Sequence, residues 1–521
     1  MFDIKKMTLE EKIGQMIGFA FKGTDYNSEL KMQIEDMKVG LVIYFKDNCA
    51  SPAQIFNLNK EIYKNAKIPP FVSLDQEGGM VARVTEGVTQ SPGAMPISAT
   101  GNPKNAYKLA YNMGRELQML GFNFNFAPVG DINNNPKNPV INVRSYSENP
   151  DIVSEYVVEA VNGYSDALMM SSIKHFPGHG DTAVDSHVGL PVVDFDEKRL
   201  YEMELKPFIK AKELNLPGIM VSHVLFTKYD DKYPSTLSKK VVQGLLRDEI
   251  GYDGLVVTDS LTMKAVFNNF TIEEIVENGF NSGDDILLLC GARDINLQKD
   301  FYDTAVRLAK EGRIPLTKID EAVERILKYK EQFIRPMADS FEDIEKELCN
   351  EEAVAFSEAV SLDSITLIED NKKLLPIKKE EKTLIVFPQI QVVTLVENDE
   401  MGLMSLAEFM PFACDKIYMP LSPSEEEKEL LLKKQTEYDK IVYCSYNACF
   451  NPEQANLINS LDKNKLIVVA IRTPYDYGVL ENISTYVCSY EATPLAFKSL
   501  SKVLTGSAEA KGKIPVTIKE V

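Results

Sequence analysis

Residues 238–289 read SKKVVQGLLRDEIGYDGLVVTDSLTMKAVFNNFTIEEIVENGFNSGDDILLL, and within them one pattern occurs twice. Ser238–Ile250 is helix-like, Gly254–Thr258 (GLVVT) is a short apolar run, Thr271–Ser282 is helix-like again, and Asp284–Leu289 (DDILLL) is a second short run. Strands that alternate with helices pair in parallel through right-handed crossovers. Toward the N-terminus the same alternation continues, with apolar runs at Met16–Phe21, Gly40–Phe45, Pro70–Leu74, Phe122–Pro128, Ser171–Phe176 and Gly218–Ser222. Helix-like stretches such as Asn105–Leu120 and Asp196–Asn215 lie between them. Eight parallel βα units fit a TIM (β/α)8 barrel. The alternative, an open doubly wound sheet, lacks a GxGxxG after its first strand. A long helix over Leu316–Phe333 closes the unit, so the barrel is placed at 1–335 and a Pro- and acid-containing linker at 336–348. From 349 to 521 the runs SITLIED, KTLIVFP, KIYMPL, KIVYCSY, KLIVVAI and TYVCSY alternate with polar helical stretches. They predict a smaller three-layer αβα sandwich.

The 521 residues carry 57 Lys+Arg against 77 Asp+Glu, a net charge of −20, with no Lys/Arg block. Nucleic acids and anionic membranes are bound through clustered positive charge, so neither is expected as a partner. No stretch approaches the roughly 20 apolar residues of a membrane span. The N-terminus runs directly into a capping box at Thr8 and Glu11 with no apolar signal core, which predicts a cytoplasmic protein. The seven cysteines form no CxxC pair and are expected as reduced, mostly buried thiols.

In a TIM barrel the chemistry sits at the C-terminal ends of the strands. Strand three ends in Asp75-Gln76-Glu77-Gly78-Gly79, and the loop after strand four carries Arg144. Strand five ends in Lys174-His175 and continues as FPGHGDTAVDSH, through His179, Asp181, Asp185 and His187. Strand six ends in Ser222-His223 and strand seven in Thr258-Asp259. All four histidines of the chain therefore fall at two successive strand ends. His175, His179 and His187 with Asp181 or Asp185 are chemically able to ligate zinc, but H-x3-H-x7-H is not a standard zinc spacing. The competing reading is acid/base work: the Asp185 carboxylate reaches the Nδ1–H of His187 and raises its pKa, so that Nε2 presents a proton. Asp259 follows a wholly apolar run, where its alternative role is an N-cap. No metal and no cofactor are expected.

The run KHFPGHGDTAVDSHVGLP, with DQEGG, NFNFAPVGDINNNPKNPVINVRS and PSTLSKKVVQGLLRDEIGYDGLVVTDSLTM, resembles the family 3 glycoside hydrolases, specifically the β-N-acetylglucosaminidase branch that trims peptidoglycan fragments. The resemblance spans nearly the whole chain and matches the two-domain members best. It implies a retaining reaction with Asp259 as nucleophile and His187, oriented by Asp185, as acid/base. It further implies that Asp75, Arg144, Lys174 and His175 hold the sugar in the −1 subsite. Without that role, Lys174 and Arg144 are salt-bridge partners of Glu77 or Asp75. His179 and Asp181 shape the loop, and His223 receives no chemical role. Related β-glucosidases carry Asp-Trp at the nucleophile, whereas this chain has Asp259-Ser260 and no tryptophan.

The expected function is exo-β-N-acetylglucosaminidase action on muropeptides, with a small-molecule carbohydrate, the N-acetylglucosaminyl muropeptide, as substrate partner. Alternatives are a phosphorylase using the same residues, because a histidine does not repel phosphate as a glutamate does; a β-glucosidase or β-xylosidase; and a zinc hydrolase or non-catalytic sugar-binding module. The second domain has no evident chemical role.

Overall fold

A computed structural model describes residues 3–182, 189–390 and 404–518. Its barrel strands are β1 (Ile17–Ala20), β2 (Leu41–Tyr44), β3 (Phe71–Leu74), β4 (Phe124–Asn125), β5 (Met170–Phe176), β7 (Gly218–Val221), β9 (Leu255–Ser260) and β10 (Ile286–Leu289). All pair in parallel and close in the order β1-β10-β9-β7-β5-β4-β3-β2. Two short strands, β6 (Val192–Val193) and β8 (Leu225–Phe226), pair with each other outside the barrel. Each of the eight apolar runs has become a barrel strand, because a strand covered by neighbours inside and by helices outside exposes neither face. Pairing is sparse along Phe122–Pro128, where only Phe124–Asn125 is regular, although Phe126 N–H still donates to Leu74 O and Ser172 N–H to Ala127 O. Pro128 has no N–H to extend the ladder.

The predicted helix over Asp196–Asn215 is broken into Glu197–Glu202 and Lys206–Lys212. Pro207 is the cause: it lacks the N–H needed by a continuous helix and crowds the turn before it, so it sits in the first turn of the second piece. Leu316–Phe333 is helical as predicted, and Thr8 and Glu11 form their capping box. The cysteines are all free, but only Cys290, Cys444 and Cys488 are buried; Cys349 is exposed and the rest are half-buried.

The second domain has one sheet of β11 (Thr366–Asp370), β12 (Thr383–Pro388), β13 (Asp415–Met419), β14 (Lys440–Ser445), β15 (Leu466–Ala470) and β16 (Thr485–Cys488). The order is β11-β16-β15-β14-β12-β13, with β11 antiparallel to β16 and the remaining pairs parallel. Each domain has its own apolar core. The core of the second domain also takes in Met80, Met95, Ala99 and Val143 of the barrel. Among the described residues no helix is long and apolar enough to cross a membrane.

Candidate active site

The loop after β3 is folded around one side chain. Gln76 Oε1 accepts from Arg83 N at 2.7 Å and Val84 N at 3.0 Å, while its Nε2 donates to Val84 O at 2.9 Å. This returns the Arg83 guanidinium to within 3.4 Å of Asp75. Asp75 Oδ1 also accepts from Lys174 Nζ, on β5, at 2.8 Å. Lys174 Nζ lies 2.6 Å from Glu77 Oε1, and Arg144 grips Glu77 through Nε at 2.9 Å and Nη2 at 2.8 Å. Two carboxylates and three cations thus interlock under the mouth of the barrel, the geometry in which a bidentate fork is strongest. Burial tends to raise the Asp75 and Glu77 carboxyls, yet Lys174 and Arg83 hold Asp75 below its ordinary value, and Arg144 and Lys174 do the same for Glu77. Burial tends to neutralise Lys174, but Asp75 and Glu77 outweigh it and keep the ammonium charged.

The segment after β5 is organised by Asp131, a fully buried carboxylate after β4. It accepts from the backbone N–H of His175, at 3.2 and 3.1 Å to its two oxygens, and of His179, at 2.7 Å; its Oδ2 lies 2.6 Å from His175 Nδ1. That contact turns His175 Nε2 away from the carboxylate. The rings of His175 and His179 meet edge to face at 5.8 Å. His179 Nδ1 pairs with Thr182 Oγ1 at 2.8 Å, and burial, then the neighbouring His175, pushes this imidazole down to about 4. Asn138 spans the same segment, donating to His179 O at 2.8 Å and Gly180 O at 2.9 Å. Gly180 lies so close to Ile132 O that a Cβ there would be 1.6 Å away. Asp181 turns outward to pair with Arg199.

Asp259 stands at the end of β9, with Oδ1 accepting the Ser260 N–H at 2.7 Å. With Asp75, Arg83, Arg144, Lys174, His175 and His179 it lines a cavity of about 250 Å³, whose apolar wall includes Phe45, Phe126, Val140, Met220 and Met263. The Asp259 carboxylate thus shares one cavity with a wall of charged side chains. Glu77 lies behind Arg144 and Lys174 rather than on the cavity wall. His223 is beneath the floor, its Nδ1 2.9 Å from Thr236 Oγ1 and its Nε2 2.7 Å from Ser260 O. Asp185 and His187 lie outside the described residues.

Several residues here went unread in the sequence. Asp131 was visible only as one acid in VGDINNN; Arg83 lies eight residues beyond Asp75, a distance that only the Gln76-centred turn closes. Arg293, which also lines the cavity, pairs with Asp47, and both Arg293 and Arg83 lie over the Phe45 ring at 5.5 Å. Among the described residues no group of three or more His, Cys, Asp or Glu is arranged to hold a metal ion.

A barrel with its charged site at the C-terminal strand ends defines an α/β enzyme of the TIM-barrel class. Residues 8–329 match the family model described as the glycosyl hydrolase family 3 N-terminal domain. The chain is 31% identical over 557 residues to β-hexosaminidase A of Pseudoalteromonas piscicida, covering 94% of this chain and 91% of that one. It is 34% identical over 275 residues to a β-hexosaminidase of Alkalilimnicola ehrlichii, covering 52% and 78%. Among solved structures, a glycoside hydrolase family 3 β-N-acetylglucosaminidase from Paenibacillus sp. FPU-7 superposes with a TM-score of 0.91 at 35% identity, over 99% of this chain and 100% of that one. The chain belongs to glycosyl hydrolase family 3.

Proposed function

We propose that this protein is a retaining exo-β-N-acetylglucosaminidase that releases N-acetylglucosamine from peptidoglycan fragments, and that it works in the cytoplasm. The observation that carries the glycosidase reading is Asp259 at a strand end, sharing one sugar-sized cavity with Asp75, Arg83, Lys174 and His175. The β-hexosaminidase names of its relatives and the N-acetylglucosaminidase title of the Paenibacillus structure support the choice of donor sugar.

In this reading the charged wall binds the hydroxyls of the terminal sugar, and its hydrogen bonds tighten as the ring flattens toward an oxocarbenium ion. Asp259 attacks the anomeric carbon while His187, oriented by Asp185, protonates the departing oxygen. The covalent glycosyl-enzyme is then opened by a water that His187 deprotonates, restoring both groups. Retaining enzymes normally hold two carboxyls about 5–5.5 Å apart. A histidine takes the place of one here, so that spacing does not apply.

The experiment is turnover of aryl N-acetylglucosaminide, glucoside and xyloside donors in water and in phosphate, with Asp259→Asn as control. Free N-acetylglucosamine in both media, an inactive but folded variant and a fluorinated slow substrate attached to Asp259 are expected. A sugar 1-phosphate as the phosphate-dependent product makes the enzyme a phosphorylase, and label on another carboxylate removes the nucleophile assignment.

A further inference from the structure

The second domain meets the loop after β3 through Ser357, whose Oγ donates to Gln90 O, and through the buried carboxylate of Glu491. Glu491 follows β16, and its side chain crosses to the barrel, where Oε2 accepts the Gly93 N–H at 2.8 Å while Oε1 accepts from Thr493 Oγ1 at 2.9 Å. Of the two glycines it meets, Gly79 is needed for the approach, and Gly93 leaves a tight fit. A Cβ on Gly79 would lie 2.5 Å from Oε2, and one on Gly93 3.3 Å from it; Gly79 also has a φ of +56°, which L side chains rarely adopt. Gly79 N–H donates to Ser91 O and so closes residues 79–91 into a loop, with Gly93 just past its base and residues 75–78 leading into it from β3. The 75–93 segment carries Asp75 and Glu77 ahead of that closure and Arg83 within it. A cavity of about 30 Å³, room for a single water, separates Glu491 from the Glu77–Arg144 pair.

A carboxyl in this place is costly. Among the described residues it pairs with no cation, and burial pushes it up to about 7 against the two hydrogen bonds that favour its charge. An apolar side chain would fill the space more cheaply but leave the Gly93 N–H without its acceptor. We propose that Glu491 is a positioning residue of the active site: by accepting the Gly93 N–H from the second domain, it holds the 75–93 segment so that Asp75, Arg83 and Glu77 keep the sugar-binding arrangement. The second domain is then part of the active site without contributing a group to the bond being broken.

The proposal rests on the glycosidase reading, and the full-length enzyme tests both. Wild-type protein that turns over no aryl N-acetylglucosaminide strikes that reading. With active wild type, Glu491→Ala is expected to lose roughly 10- to 100-fold in kcat/KM, carried more by KM than by kcat, with sites counted by titration with a slow fluorinated donor. Glu491→Gln keeps a carbonyl for Gly93 and an amide for Thr493, so it should restore kcat/KM to within about threefold of wild type. Thr493→Val, which removes the second anchor together with the N-cap bond from Ala496 N–H, should raise KM a fewfold where Thr493→Ser, which keeps both bonds, does not, and the pair decides the matter if Glu491→Ala does not fold. A Glu491→Ala enzyme that is less heat-stable yet has wild-type kcat/KM per titrated site overturns the proposal. So does an unchanged KM in Thr493→Val when the alanine variant cannot be made.

Discussion

His179 is an imidazole that the fold keeps neutral. It is 2% exposed, and burial beside His175 lowers it to about 4 against about 6.5 in an unfolded chain. Below pH 6.5 the unfolded chain therefore takes up a proton that the folded one refuses. Stability is intact above that pH and falls as the pH drops toward 4, by about 3 kcal/mol if the shift is fully expressed. His179→Gln should be less stable than wild type at pH 7, because it loses ring packing, but the gap should narrow by pH 5. Denaturant midpoints at the two pH values measure it, and parallel slopes for the two proteins would rule out His179 as the source. At this scale the sequence was most informative about residues fixed by strand ends: Asp75, Lys174, His175 and Asp259 stand where a barrel register puts them. For Lys174 and Arg144 it offered either sugar binding or salt bridges to Asp75 and Glu77. The structure has those bridges at the cavity edge, so the two options are not exclusive. Glu491 was out of reach, since its partner Gly93 is 398 positions away and no local pattern marks such a contact.

Asn138 does for the loops after β4 and β5 what Gln76 does within the loop after β3. Its Oδ1 accepts from Val140 and Ile141 N–H, both at 2.9 Å, and its Nδ2 donates across to His179 O, Gly180 O and, at 3.3 Å, Thr182 Oγ1. An aspartate keeps the first set and turns the second into repulsion, whereas an alanine removes both. Leaving such buried groups unpaired costs about 1–3 kcal/mol each. Asn138→Ala and Asn138→Asp should both lower kcat/KM by roughly tenfold or more, with Asp no better than Ala. Wild-type activity in the aspartate variant would show that the cross-loop bonds do not position the site. Elements were legible wherever apolar periodicity decided them, hence eight runs and eight strands. Two exceptions involve prolines: Pro207 splits one helix, and Pro128 interrupts the pairing near β4, which resumes as a bridge between Val129 and Lys174. Both were in the sequence, but a proline is allowed in a first turn or at a strand end, and only packing decides which boundary moves.

At the scale of the whole molecule, the two domains share apolar surface as well as hydrogen bonds. Met80, Met95, Ala99 and Val143 belong to the barrel by sequence but are buried in the core of the second domain. Met95 is fully buried and Met80 4% exposed. Alternation of strands and helices predicts each domain separately and says nothing about this shared face, because methionine and alanine on a helix or loop read the same whether a partner domain covers them or not. Burying a methionine contributes about 1.5–3 kcal/mol, so uncovering two of them with Val143 removes several kcal/mol from the barrel. The same cut removes the Glu491 acceptor, the bond from Asn133 Nδ2 to Tyr475 OH at 2.9 Å and the one from Ser147 Oγ to Pro515 O at 2.6 Å. Those three contacts hold the loops after β3 and β4. A fragment ending at residue 348 is therefore expected to bind a hydrophobic dye, to melt well below the full-length chain and to lose at least tenfold in kcat/KM. Residues 349–521 added in trans should recover part of the activity if the surfaces reassociate. A fragment that melts and turns over like the full-length enzyme would mean that the shared face supports neither the fold of the barrel nor the arrangement of its loops.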